Sequence, residues 1–120
     1  MTARLARLAM LRDCERRVGL RALATATQRV AGLDATQARL AALLDEVPVP
    51  SDTTSRKAAA VTRAALGAAA ERVATAQRAA VAGRNQAARG AARLIARADA
   101  VAAARSRTAV ASCIVLAARS

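Results

Sequence analysis

The chain contains no His, Phe, Tyr or Trp, and only two Cys and two Pro among its 120 residues. The missing His and Tyr remove the most frequent general acids and bases and the most frequent zinc ligand. Two cysteines are too few for a four-ligand zinc site, and the missing aromatic rings remove the platforms on which most single-strand binders stack bases. Because no phosphate-binding loop of the G-x-x-x-x-G-K-[ST] type occurs either, we predict no enzymatic activity, no catalytic residue, no cofactor and no metal.

Large apolar side chains are also scarce. The hydrophobic fraction is 55%, but 38 of these 66 residues are Ala and only 26 are Leu, Ile, Val or Met. Alanine has the highest helix propensity and is depleted in strands, whereas a compact globular core normally requires larger side chains. The composition therefore predicts an all-α chain whose helices pack along narrow seams lined by alanine.

The two prolines mark the one clear break in this composition. Pro48 and Pro50 cannot continue a helix, and the Ser, Asp and Thr residues that follow them are good N-caps for a second helix. We therefore predict helix 1 at about 3–46, a Pro-rich turn at 47–52 and helix 2 at about 53–117.

Two helices joined by a short turn form, in the simplest arrangement, an antiparallel coiled-coil hairpin, here with a longer second helix. We expect this hairpin to be a single domain over residues 1–120. The alternative is a three-helix bundle, in which helix 2 breaks near residues 83–90. Gly83 and Gly90 motivate this alternative, because each glycine inside a helix costs about 1 kcal/mol relative to Ala.

A seven-residue repeat runs through both helices and favours the coiled coil. In helix 2 one core position recurs every seven residues from Leu66 to Val115, and the second recurs from Arg63 to Ser112. The repeat is interrupted near the N-terminus of helix 1, at Arg12 and Arg16, where we expect Leu8, Leu11 and Val18 to form the apolar face instead. The core positions of helix 1 are Gly19, Leu23, Ala26, Val30, Leu33, Gln37, Leu40, Leu44 and Val47.

The heptads also predict a residue-by-residue pairing if the hairpin folds about Val49 and Pro50. Facing residues then have numbers that sum to about 99, so that Gly19 lies beside Ala80. On this register helix 1 runs out before residues 96–120, which we expect to overhang with no helix of their own chain against them.

Basic residues exceed acidic residues by 20 to 8, and residues 51–120 carry a net charge of +9 of the total of +12. Arg89, Arg93 and Arg97 recur every four residues and place a basic stripe on helix 2. Such a stripe is either the solvated outer face of a coiled coil or a binding face for an anionic partner. Because no base-reading motif is present, we predict a protein partner first and nucleic acid, bound through its phosphates, second.

The longest apolar run lies near the C-terminus, over residues 109–118. It either packs into a bundle core or docks into the groove of a partner, with Val110, Ile114 and Val115 as the contacting residues. It is about half as long as a membrane-spanning helix, so we expect membrane association to be peripheral at most. Self-association is a further alternative, since two alanine-lined helices bury little area.

The N-terminal region contains charged residues where a signal peptide would have an uninterrupted apolar core. Cys14 and Cys113 lie near opposite ends of the chain, and we interpret them as free thiols of an intracellular protein that act as small buried hydrophobic side chains. We therefore predict a cytoplasmic location, which includes peripheral attachment at the cytoplasmic face of the inner membrane.

The layout of the chain resembles that of a known family. An Arg- and Leu-rich start over Arg4–Arg17 is followed by the apolar positions of helix 1, a short Pro-containing break and a longer Ala/Gln/Arg helix that includes Arg72–Arg78. This is similar to the FliJ/YscO group of flagellar and type III secretion stalk proteins, and the similarity extends over most of the chain. It implies a small bacterial coiled coil that sits in the ring of an export ATPase, contacts the export gate and helps to escort subunit chaperones.

On this resemblance, the expected function is that of a non-enzymatic coiled-coil adaptor in a flagellar or type III protein export apparatus. Its partners would be an export ATPase ring and the export gate, met by the arginine stripe and the apolar run of helix 2. The alternative function is that of a small, basic, nucleoid-type protein that binds nucleic acid. Polymer-granule phasins share the alanine-rich composition, but the strong basic charge and the absent aromatic residues argue against that group.

Overall fold

The computed structural model describes residues 2–119 and contains two helices, α1 (Thr2–Glu46) and α2 (Thr53–Arg119). Within the described range no residue is in a strand, so the predicted all-α class is confirmed, with the longer helix second as expected. The composition explains helices of this length, because alanine loses no side-chain entropy in a helix and Arg, Leu and Gln are also strong helix formers.

Proline chemistry and an aspartate cap set the turn between the helices. The ring of Pro48 disfavours helical geometry at Val47, so α1 ends at Glu46. α2 begins after Asp52, whose Oδ2 accepts hydrogen bonds from the Ser55 amide at 3.3 Å and from the Ser55 hydroxyl at 3.0 Å. The hydrogen bond from the Ser55 amide gives a partner to a backbone donor that has none within the helix, so Asp52 acts as the N-cap of α2.

α2 runs without interruption through Gly83 and Gly90, so the three-helix alternative is wrong. Neither glycine has a positive φ, and an added Cβ at either position would meet nothing within 4 Å. Each glycine costs about 1 kcal/mol relative to Ala, which is too small to break a helix in which many neighbouring residues are alanine.

The residues group into two compact units. Unit 1 combines α1 up to Ala24 with α2 from Gln86 onwards, and unit 2 comprises Thr25–Asn85, including the turn. Both units draw on both helices, so each unit contains its own part of the seam.

Unit 2 contains side-chain hydrogen bonds that link segments far apart in the sequence. The Gln77 side-chain amide donates to the Asp34 carboxylate, which joins α2 to α1. The Arg63 guanidinium donates to the Pro48 carbonyl oxygen at 3.2 Å, which joins α2 to the turn. The buried apolar residues of the unit are all small or β-branched: Val30, Ala59 and Ala80.

Unit 1 contains a close approach of the two helices. A Cβ added to Gly19 would lie 2.9 Å from Leu94 Cδ1 and 3.3 Å from the Ala91 Cα. Ala91 is only 3% exposed. Further along the unit, Leu5 of α1 and Thr108 of α2 together line two shallow depressions. The N-terminal turns of α1 therefore lie beside the later turns of α2.

These contacts show that the predicted pairing register is wrong. The contacting pairs that are more than ten residues apart in the sequence are Asp34–Gln77, Pro48–Arg63, Gly19–Ala91 and Gly19–Leu94. Their residue numbers sum to 110–113, whereas the heptads alone predicted about 99. The heptads define the spacing of core positions within each helix, but not the path of residues 47–52 between the helices, so they could not predict which residues meet.

The shift also shortens the overhang. Leu5 lines depressions together with Arg105, Thr108 and Ser112, so α1 lies against α2 well beyond residue 95. The expectation that all of residues 96–120 lack a helix against them is therefore wrong.

Burial follows the predicted heptads through the middle of both helices. From Leu66 to Val101, every predicted core position of α2 is buried or half-buried. The same holds in α1 from Gly19 to Leu44 with one exception, and Val47 in the turn is half-buried. This pattern is compatible with a coiled coil. The predicted core positions that are exposed instead are Gln37, Arg63, Arg105, Thr108, Ser112 and Val115.

Candidate interaction surface

Within the described chain, carboxylates form ion pairs with arginines in one place, between Arg12 and Arg17 of α1. Arg12 contacts Glu15 at 2.9 Å, and Asp13 contacts Arg16 at 2.9 Å and Arg17 at 3.0 Å. All partners are three or four positions apart on one helix, so these pairs form locally. Their main effect is to cancel charge on this stretch of α1.

The Asp13 carboxylate contacts two arginines, Arg16 and Arg17. The hydrogen bond from Arg16 lowers the pKa of Asp13 below its usual value of 3.8, and the positive charge of Arg17 lowers it further. Asp13 is therefore ionised at neutral pH, and the two guanidinium groups that it contacts still leave one positive charge over.

Arg89, Arg93 and Arg97 form what we call the arginine face of α2. All three side chains are exposed, and none forms an ion pair with any residue between 2 and 119. Their four-residue spacing rotates each by about 40° from the last, so they follow one side of the helix. Arg93 and Arg97 border an open depression whose floor includes Gly90 and Leu94. The face combines unpaired positive charge with a small apolar floor.

Charge is divided unequally between the two units. Unit 1 contains 12 basic and 3 acidic residues, a net charge of +9, whereas unit 2 contains 8 and 5, a net charge of +3. Unit 1 includes Arg4 and Arg7 of α1 as well as the arginine face. Two of its three acidic residues, Asp13 and Glu15, already contact arginine. Because the potentials of like charges add, unit 1 attracts anions more strongly than unit 2.

We call residues 109–118 the apolar end of α2. Its large side chains are all well exposed, with Val110 at 56%, Ile114 at 64%, Val115 at 50% and Leu116 at 65%. The alternative that this run packs into a bundle core of its own chain is therefore wrong.

α2 is also long and apolar enough, by length and composition alone, to cross a membrane. An 18-residue window within it has a mean hydropathy of 1.4, and none of the window is buried. Residues 101–118 form a window of this kind, with Arg105 and Arg107 as its charged residues. The window thus contains the whole apolar end.

Cys14 and Cys113 are exposed free thiols, so the expectation that they are buried is wrong. Cys14 lies on an outer strip of α1 with Leu11, which is 54% exposed, and Val18, which is 64% exposed. The expectation that Leu11 and Val18 belong to the apolar packing face of helix 1 is therefore wrong.

Arg56 and Arg63 have a role that sequence reasoning missed. The Arg56 Nε donates to the Pro50 carbonyl oxygen at 3.1 Å, as Arg63 does to the Pro48 carbonyl. The carbonyl groups of Pro48 and Pro50 lie outside both helices and have no helical donor, and these guanidinium groups supply one. Two arginines seven residues apart after a Pro-x-Pro segment were the signal that could have indicated this role.

The described surface offers two kinds of chemistry, attraction of anions by guanidinium groups and burial of apolar side chains. Among residues 2–119, no group of three or more Cys, Asp or Glu side chains is placed to hold a metal ion. Comparison with known proteins identifies no relative: no family model, no curated protein and no solved structure matches this chain.

Proposed function

We propose that the chain is a non-enzymatic helical adaptor built as an antiparallel coiled-coil hairpin. Burial at the heptad positions of both helices supports the coiled coil. The nearly constant sum of residue numbers in contacting pairs, 110–113, supports helices that run in opposite directions. Such a hairpin presents long helical surfaces to a partner and needs no enclosed pocket.

The proposed partner is an acidic protein that binds the arginine face. The observation that carries this proposal is that three exposed guanidinium groups lie in the unit with a net charge of +9 and contact no carboxylate among residues 2–119. Acidic side chains of a partner would gain charge-assisted hydrogen bonds there, and the floor beside Leu94 would accept an apolar side chain.

The resemblance to the FliJ/YscO group narrows the proposed partner to the ring of a bacterial export ATPase, with the export gate as a second contact in the cytoplasm. A test compares two variants that remove the same charge from exposed positions. The first variant carries Arg89→Gln, Arg93→Gln and Arg97→Gln. The matched control, in unit 2, carries Arg29→Gln, Arg39→Gln and Arg72→Gln.

Co-sedimentation with the purified export ATPase, together with its rate of ATP hydrolysis, measures the difference. We expect the first variant to bind about tenfold more weakly, because three exposed ion pairs of about 0.5 kcal/mol each are lost. The control should bind like the unsubstituted chain. Equal weakening in both variants would show that only net charge matters, and no binding by the unsubstituted chain would refute an export partner.

The same unpaired arginines favour a second candidate function, the binding of nucleic acid through its phosphates. Affinity for duplex DNA would then fall with salt, with a logarithmic slope of about −0.9 per phosphate contact. If each arginine of the face contacts one phosphate, the slope for the first variant would be shallower by about 2.7 than the slope for the unsubstituted chain. Fluorescence anisotropy with labelled duplex DNA measures this, and the absence of binding at low salt would remove the candidate.

A further inference from the structure

The apolar end is apolar around its whole circumference. Successive helical residues are rotated by about 100°, so Val110 and Ile114 share one side while Val115 and Leu116 point in other directions. Ser112 is the only polar residue between 109 and 118. A protein groove covers one face of a helix, whereas a helix that is apolar on every side is stable where every side loses water.

Positive charges flank the apolar end. Arg105 and Arg107 precede it, Arg119 follows it, and no acidic residue occurs in this sequence after Asp99. Unit 1 as a whole carries a net charge of +9. A second copy of the chain would bring the same charge to a contact and be repelled, whereas the headgroups of anionic lipids would attract it.

The apolar end by itself is too short to span a bilayer. Ten helical residues extend about 15 Å, half of the hydrocarbon thickness of about 30 Å. Arg107 and Arg119 are about 18 Å apart along the helix axis. Both guanidinium groups can stay at the headgroups if the helix lies close to the plane of the interface and the aliphatic stems of the arginines reach upwards.

We propose that residues 109–118 insert into one leaflet of an anionic lipid bilayer, with Arg105, Arg107 and Arg119 at the lipid phosphates. The apolar side chains exchange water for acyl chains, and the guanidinium groups form charge-assisted hydrogen bonds to the phosphates. This anchor does not depend on the proposed protein partner, because it does not use the arginine face.

Co-sedimentation of the full chain with lipid vesicles tests the proposal. We expect binding to vesicles of phosphatidylcholine mixed with phosphatidylglycerol, and binding about 100-fold weaker to phosphatidylcholine alone, because each of three arginines contributes about fivefold near an anionic surface. Val110→Ser with Ile114→Ser should weaken binding to the mixed vesicles about 100-fold or more, because two buried aliphatic side chains are lost. The matched control, Leu43→Ser with Val61→Ser at exposed positions of unit 2, should bind like the unsubstituted chain.

The two native thiols provide a readout of insertion. Cys113 lies within the apolar end, whereas Cys14 lies on the outer strip of α1, and both are exposed. A polarity-sensitive fluorophore on Cys113, in a chain with Cys14→Ser, should shift to shorter wavelength when the mixed vesicles are added. The same fluorophore on Cys14, in a chain with Cys113→Ser, should not shift.

Three outcomes would overturn the proposal. The first is that the unsubstituted chain and the Val110→Ser, Ile114→Ser variant bind the mixed vesicles equally. The second is that the chain binds the vesicles while the emission of the fluorophore on Cys113 does not shift. Either result would show attraction by surface charge without insertion. The third is no binding to mixed vesicles, which would leave the apolar end to a protein groove. None of these outcomes affects the test of the arginine face, because that test uses the purified export ATPase and no lipid.

Discussion

The substitution Gly19→Ala tests the close approach of the two helices in unit 1. The new Cβ would lie 2.9 Å from Leu94 Cδ1 and 3.3 Å from the Ala91 Cα, whereas carbon atoms in ordinary contact are about 3.5–4.0 Å apart. Leu94 can turn its terminal methyl group away. Ala91 is 3% exposed, and its Cα can move only with the backbone of α2. The substitution therefore requires the two helices to separate by a few tenths of an ångström.

Two effects of opposite sign determine the change in the free energy of unfolding. Exchange of Gly for Ala inside a helix stabilises by about 1 kcal/mol, in part because Ala restricts the unfolded chain. Overpacking of a filled contact costs about 1–3 kcal/mol. For Gly19→Ala we therefore expect a net destabilisation between about zero and 2 kcal/mol. At Gly32 an added Cβ meets nothing within 4 Å, so only the favourable effect applies.

Thermal unfolding followed by far-ultraviolet circular dichroism measures this difference, and Gly32→Ala is the matched control on the same helix. About 1 kcal/mol corresponds to about 4 °C in the melting temperature of a chain of this size. Gly32→Ala should raise the melting temperature by about 4 °C, while Gly19→Ala should leave it unchanged or lower it by up to about 8 °C. A rise at Gly19 as large as that at Gly32 would refute the close approach.

Three further predictions concern the turn and the register. Hydrogen bonds from Ser55 in the first turn of α2 lower the pKa of Asp52 below its usual value of 3.8. The ionised cap therefore stabilises the folded chain at pH values above 3.8, and this stabilisation is lost as the pH falls through the lowered pKa of the folded state. Asp52→Asn, which still caps the helix, should lose less helicity in acid than the unsubstituted chain, and identical acid titrations would contradict this. Asp34→Cys with Gln77→Cys, in a chain without its native thiols, should form an intramolecular disulfide on oxidation, and a monomer that fails to cross-link would contradict the register. Arg63→Ala should lower stability by about 1 kcal/mol and speed proteolysis at the turn, because the Pro48 carbonyl loses its donor; unchanged proteolysis would contradict that role.

The helix limits could be predicted because they depend on chemistry that acts over a few residues. Alanine favours the helix, Pro48 ends it, and Asp52 caps the next one, and the two helices are Thr2–Glu46 and Thr53–Arg119. The alternative of a break in helix 2 near residues 83–90 was wrong for an energetic reason. A single unfavourable residue of about 1 kcal/mol does not outweigh the propensity of the alanines around it.

The candidate surface was predictable only in part. The exposure of the arginine face followed from the heptads, because its residues lie off the seam positions. The exposure of Cys14 and Cys113 could not be predicted, because a small apolar side chain gives little indication of which helix face it occupies. The roles of Arg56 and Arg63 were also missed, because their acceptors are carbonyl groups of a turn whose path the side-chain pattern does not describe.

The sequence by itself determined two helices, the faces that are buried through the middle of each helix, and the positions of the arginine face and the apolar end. These features need only the 3.6-residue period and local propensities. Only the tertiary structure decided which residues of the two helices meet. The residue numbers of contacting pairs sum to 110–113 instead of about 99, a shift that depends on the path of the turn and not on the heptads. That shift covers much of the expected overhang and gathers the N-terminal arginines and the arginine face into one unit with a net charge of +9.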